Sequence, residues 1–305
     1  MKKLLLVVAL GGIAFGGYSY ANYYMGKEAR KDVDKQLLQF HAQTGVDVRY
    51  GELKTDLFTQ SISLGDVTVN DPEGNHIADV ASIDMQGFSP VKVSDYSRLA
   101  INDLTFKGVA LEGMQELNGE KIDLVTEFKY SEANGDADAK TVINAGKIAD
   151  IKFDFAMTNS QQLMALSEQL NEMAQQADSG QPNLQQQLAL QSQLMTAMTT
   201  IMPKSMSFEL KNNGKLKGMI ERLVAEQGMT FEQFQMQAQQ QLSMSPAPAR
   251  LREAALGFID GTEQFKVSVS LPEGTSVAQI NQKMMTMMGD PEELANFFNL
   301  EATGN

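Results

Sequence analysis

From Leu4 to Gly26 the chain carries no charged residue, and the run opens Leu4-Leu5-Leu6-Val7-Val8-Ala9-Leu10 between Lys2-Lys3 and Lys27-Glu28. No other stretch limits the possible folds as strongly. Wound as a helix, this run would reach about 34 Å, enough to cross the hydrocarbon core of a bilayer. In lipid only a helix satisfies its own backbone, so a spanning segment here has one available form.

Two processing routes fit such a start. A cleaved signal peptide also has a basic start, an apolar centre and small residues before the cut. Ser19-Tyr20-Ala21 makes a poor cleavage site, because bulky Tyr20 stands between the small residues. An uncleaved anchor explains why the uncharged run continues through Tyr18, Tyr20, Tyr23 and Tyr24 to Gly26, since tyrosine suits the membrane–water interface. The anchor reading is adopted, with 1–26 as a transmembrane signal-anchor. Gly11, Gly12, Gly16 and Gly17 offer small-xxx-small spacings through which two anchors could pack, although glycine is common in membrane helices anyway. Lys2 and Lys3 favour a cytoplasmic N-terminus, with Lys27, Arg30 and Lys31 competing on the far side. The very short N-terminal tail is that of a signal-anchor that leaves the long remainder outside the cytoplasm.

About 280 residues follow, enough for one large or two smaller domains. Their chemistry excludes some classes of function. The net charge is −13 and the pI about 4.7, which argues against nucleic acid as a partner, because phosphate binding needs a basic face. There is no cysteine, hence no disulfide and no lipid-modified cysteine anchor. Of 19 methionines, 15 lie from Met157 onward, where the predicted architecture also changes.

Residues 27–44 read as a helical stalk, with Val33, Leu37, Leu38 and Phe40 as its apolar stripe and Thr44-Gly45 as its end. From Val46 the period falls to two. Val46, Val48 and Tyr50 alternate with Asp47 and Arg49, and Ile62 and Leu64 alternate until Gly65-Asp66 shifts the phase to Val67 and Val69, as a bulge would. Asp71-Pro72-Glu73-Gly74 is a turn, and Asn102-Asp103 interrupts the next alternation between Ile101 and Leu104. Ile122, Leu124 and Phe128 follow, then a turn at Asn134-Gly135, then Ile151, Phe153, Phe155 and Met157. The spacing predicts roughly seven antiparallel strands over 45–158, each with one apolar and one polar face.

The order of uncharged run, Tyr23-Tyr24-Met25-Gly26-Lys27-Glu28, short helix, Val48-x-Tyr50, Leu53, Phe58 and Ile62-x-Leu64 resembles the YdgA-like bacterial membrane-anchored proteins. The strand-turn-strand pattern through Phe106 is similar to the opening of AsmA-like envelope proteins. The first resemblance implies an inner-membrane anchor with a periplasmic domain of unknown role. The second implies a sheet curved around an apolar groove and a role in lipid handling or outer-membrane upkeep. Neither supplies a functional residue.

Over 159–305 helices dominate, with two further strands. Helices are predicted at Ser160–Gln176 and Asn183–Ile201, joined by a turn at 178–182, then at 214–227, 230–242, 250–259 and 276–288, with a last one from Pro291 that frays after Leu300. Thr230 is the expected N-cap of its helix. Strands are predicted around Met206-x-Phe208-x-Leu210 and Phe265-x-Val267-x-Val269-x-Leu271, with Pro203 ending the helix before the first of them.

Catalytic and metal motifs are weak throughout. His41 and His76 stand in different elements without a third ligand at metal spacing, so both read as surface histidines. Asp66, Asp71 and Asp79 sit at strand ends and turns, where aspartate is ordinary. Asn70–Asn75 lacks the ligand spacing of a calcium loop. No glycine-rich phosphate loop and no serine nucleophile elbow occurs. Met284-Met285-Thr286-Met287-Met288 could offer thioethers to Cu(I), but methionine more commonly fills helix faces that repack.

The sequence therefore predicts an α+β protein: anchor, helical stalk, a curved mostly antiparallel sheet, and Met- and Gln-rich helices over or beside it. The expected function is non-enzymatic, without catalytic residues, cofactor or metal. An inner-membrane-anchored periplasmic protein would hold lipid or another apolar ligand in a sheet-and-helix groove for envelope maintenance. The alternative is a scaffold that binds another envelope protein through its Gln/Met-rich helices. The expected groove lining is Ile62, Leu64, Val69, Ile83, Met85, Ile101, Phe106, Leu124, Phe128, Phe153 and Phe155, brought to one face by strand alternation.

Overall fold

The computed structural model describes residues 27–56, 58–87, 93–108, 114–177, 184–287 and 289–305. The predicted anchor, the turn at 178–182 and Met288 lie outside the described residues. Among the described residues no helix is long and apolar enough to cross a membrane. The fold is α+β: every described strand pair is antiparallel, and most helices follow in the second half of the chain. The described residues fall into two compact units, those within 27–131 and 164–190 and those within 132–163 and 191–305.

In the first unit, helix α1 (Lys27–Thr44) leads into β1 (Asp47–Arg49), β2 (Glu52–Asp56), β3 (Ser61–Asn70), β4 (His76–Gln86), β5 (Tyr96–Phe106) and β6 (Ile122–Ser131). β1 and β2 pair end to end along β3, which pairs with β4, then β5, then β6. The apolar side of this sheet is a closed core. Leu64, Ile83 and Ile101 sit side by side in register at 1%, 0% and 4% exposure, and Val33 of α1 belongs to the same cluster. Helix α1 runs back along β1: the Tyr50 hydroxyl donates to Asp34 at 2.6 Å, and the Arg30 guanidinium lies 5.8 Å over the Tyr50 ring. Partial burial, followed by the Asp34 carboxylate, raises the Tyr50 pKa above its usual value.

Both predicted phase shifts occur at left-handed aspartates, but only the one at Asp103 is a bulge, where the β5–β6 register slips between Ile101 and Leu104; at Asp66 the register with both neighbours is unbroken. Asp66 and Asp103 both have φ of 53°. Burial passes from Ile62 and Leu64 to Val67 and Val69 across Asp66, and from Leu99 and Ile101 to Leu104 across Asp103. The register brings Ala81 of β4 between them, and β4 changes phase at that level too, from Ala78 and Val80 to Ile83 and Met85. Gly51 faces Asp66 on the other side, where a Cβ would stand 3.1 Å from that of Asp66. The phase change is thus one line across β3, β4 and β5 that continues to the β1–β2 junction. The turn of Asp71 to Gly74 forms as expected: Gly74 has φ of 84°, and the Asp71 carboxylate accepts from the Asn75 amide and side chain.

Helices α2 (Gln161–Ala177) and α3 (Leu184–Thr200) match their predicted spans within a residue. In the second unit, β7 (Asp136–Asn144), β8 (Ala149–Thr158), β9 (Met202–Asn212), β10 (Gln264–Ser270) and β11 (Glu301–Gly304) pair in chain order, with α4 (Leu216–Glu226), α5 (Phe231–Met244), α6 (Ala249–Gly261), α7 (Val277–Met287) and α8 (Pro291–Phe297) between them. Thr230 caps α5 in a capping box with Gln233.

Three expectations need correction here. β7 went unread because Ala137, Ala139 and Thr141 are too small or polar to show an apolar period. Pro203 lies inside β9, at a register shift against Met157 of β8, where a missing amide is tolerated. The region after 158 holds three strands rather than two, because the tail forms β11 where fraying was expected. β11 packs on α6 through glycines: a Cβ on Gly257 would meet the Gly304 carbonyl, and a Cβ on Gly304 would meet that of Ala254.

Candidate functional site

Period-two alternation along β8, β9 and β10 puts their apolar residues on one face of the second unit. Register aligns Ile151, Leu210 and Phe265 in one row, Phe153, Phe208 and Val267 in the next, and Phe155, Met206 and Val269 in a third. The opposite face is polar. There Lys152 pairs with Glu209 at 3.5 Å, and the Ser207 hydroxyl donates to Asp154 at 3.0 Å. Among the described residues, ring contacts cover this face at its Phe265 end. Phe258 of α6 lies 6.0 Å from Phe265, which lies 6.4 Å from Phe208. Phe153 of β8 is 38% exposed and Met206 of β9 44% exposed, the other seven row residues are partly buried, and none of the nine is fully buried.

The two units therefore finish similar amphipathic sheets differently. Six of the expected lining residues, Ile62, Leu64, Val69, Ile83, Met85 and Ile101, are core at 0–4% exposure. Phe106 and Leu124 are partly buried against that core, and Phe128 is half-buried on β6. Only Phe153 and Phe155 lie on the open face. Met206, Phe208, Val267 and Val269 complete it. Their alternation was visible in the sequence, but their alignment with Phe153 and Phe155 depends on pairing across a long helical insertion, which periodicity cannot supply.

The polar candidates keep separate company. A His41 ring nitrogen lies 3.3 Å from the Val46 carbonyl, and His76 meets Asp79 at 2.7 Å, where Lys107 also reaches. Asp71 caps its own turn, and hydrogen bonds led by the Asn75 side chain lower its pKa. Asp66 occupies the phase-change line. Among the described residues no group of three or more His, Cys, Asp or Glu side chains could hold a metal. Met284 and Met285 of α7 are 45% and 77% exposed.

Fold and site define an α+β protein whose most distinctive surface is a half-covered apolar sheet face. Residues 142–305 match the model of a family described as "Uncharacterized protein", and since the match takes in more than half of the chain, the protein belongs to that family. The matched region contains β8 to β11 and helices α2 to α8, and so the whole open face. No curated protein matches the chain.

Proposed function

We propose that this is a non-enzymatic, inner-membrane-anchored periplasmic protein that holds a lipid chain or similar apolar ligand against the β8–β9–β10 face, in the service of envelope maintenance. One observation carries the reading: an aromatic and aliphatic face, covered by Phe258 at one end, leaves Phe153 and Met206 to solvent at the other. Apolar area left in water is unfavourable by about 25 cal/mol per Å², and a bound acyl chain would remove it. Methionine at the rim suits a ligand of variable shape. The uncharged run from Leu4 to Gly26 and the likeness to YdgA-like and AsmA-like proteins support the membrane and lipid parts of the reading. Curvature of the sheet around the ligand belongs to the same proposal. Mass spectrometry of what copurifies with a chain starting at Lys27 tests it. The expected result is a stoichiometric lipid; a chain that purifies without any apolar molecule sinks the reading.

A scaffold role is the second reading, favoured by helices α5 and α7, which bury no residue and present Met236, Met244 and Met285 at 62%, 79% and 77% exposure. Charge-reversing neither helix but changing these three methionines to Gln should abolish capture of an envelope protein if this reading holds, and should leave lipid content unchanged.

A further inference from the structure

The tip of the β2–β3 hairpin displays a phenyl ring on a backbone that is held in place. The Asp56 carboxylate accepts from the Phe58 and Thr59 amides at 2.8 and 3.3 Å. The Thr59 and Ser61 hydroxyls meet at 2.8 Å, and the Gly87 amide donates to the Gln60 carbonyl at 3.1 Å. These bonds fix the turn while Phe58 makes no packing contact, at 101% relative exposure. Isolated surface apolar residues are common, so the position of this one decides its meaning.

Helix α1 and the β1–β2 arm run antiparallel. Moving forward from Val46 through Tyr50, the partners on α1 move backward, from His41 to Asp34 and Arg30. Beyond Tyr50 the arm continues to Asp56, a further stretch of about 20 Å at strand rise, and Phe58 lies in the turn that follows. From Asp34 back to Lys27 the helix covers only about 10 Å. The hairpin tip therefore reaches past the start of α1, on the side from which the uncharged run Leu4–Gly26 joins it.

We propose that Phe58 is a second membrane contact: the hairpin tip inserts its ring at the boundary of headgroups and acyl chains, and so fixes how the first unit stands on the bilayer. The inference rests on reading residues 1–26 as an anchor. The occupant is a lipid surface because an uncharged run long enough to span one adjoins this end of the unit, and because aromatic rings favour that boundary.

The chain contains no tryptophan, so Phe58→Trp introduces a unique fluorophore at a site where substitution costs little stability. The full chain carrying it is reconstituted into vesicles of phosphatidylethanolamine and phosphatidylglycerol, with and without brominated acyl chains. Glu73→Trp, in the turn at the other end of β3 and about 30 Å away, serves as the control. The expected result is blue-shifted emission that brominated lipid quenches in Phe58→Trp, and red, unquenched emission in Glu73→Trp. Red, unquenched emission from both variants in protein that floats with the vesicles overturns the inference while leaving the anchor reading intact. A blue shift without bromine quenching means a protein contact and overturns it too. Protein that fails to float with the vesicles overturns the anchor reading and this inference together.

Discussion

Asp66 and Asp103 are where single residues most directly shape this protein. A left-handed φ costs most side chains about 1–2 kcal/mol, and aspartate tolerates it better than β-branched residues. Both positions hold φ of 53°, and at both the buried side of the strand changes phase. Asp66→Gly is therefore expected to leave the chemical denaturation midpoint nearly unchanged. Asp66→Val should lower stability by more than about 1 kcal/mol. Equal effects of the two substitutions would show that backbone conformation is not what the aspartate supplies. Burial sorts the expected lining residues in the same way. Ile83 is fully buried, and Ile83→Asp should unfold the first unit, since an unpaired buried charge costs several kcal/mol. Phe153→Asp on the open face should cost no more than about 1 kcal/mol, as read by thermal melts. At the surface, the Lys204 ammonium donates to Asp136 at 2.6 Å and holds its carboxyl below the usual range. A depressed folded pKa stabilises above the unfolded value and is lost as pH falls through the folded one. Asp136→Asn should therefore lower the urea midpoint slightly at neutrality and weaken its fall as the pH drops below about 4.

At the level of elements, α6 and β11 form the tightest junction in the second unit. Replacing a helical glycine by alanine usually stabilises by about 1 kcal/mol. At Gly257 the added methyl would meet the Gly304 carbonyl, so Gly257→Ala is expected to destabilise instead, as read by the denaturation midpoint. Gly218 in α4 has open space around its Cβ position, and Gly218→Ala should follow the ordinary rule. Elements with a strong local signal were legible in the sequence. The α2 and α3 spans, the Thr230 cap, the Asp71–Gly74 turn and the phase shifts at Gly65-Asp66 and Asn102-Asp103 were readable because each depends on residues within a few positions of one another. β7 and β11 were not, since Ala137, Ala139, Ala302 and Gly304 carry little apolar periodicity and owe their strand form to neighbours far along the chain. The site was half legible for the same reason. Phe153 and Phe155 declared an apolar strand face, but whether a face is covered depends on where helices pack. Nothing local separates Ile83, fully buried, from Phe153, open to solvent.

For the molecule as a whole, membrane attachment and ligand holding are separable claims. The absence of cysteine makes topology simple to read: Glu73→Cys would be the chain's only thiol, in an exposed turn. A membrane-impermeant maleimide added to cells with a permeabilised outer membrane should label it without inner-membrane lysis. Labelling that requires lysis would contradict a periplasmic domain. A single point reporter in this turn is preferable to a C-terminal fusion, because the Asn305 carbonyl accepts from the Glu263 and Gln264 amides and the tail is packed. Ligand holding is the central claim, and lipid mass spectrometry on purified Phe153→Asp beside the unaltered chain tests it most directly. The account predicts a lipid bound to the unaltered protein and lost from a Phe153→Asp variant whose melting is nearly unchanged. A folded variant that retains the full complement of lipid would contradict it.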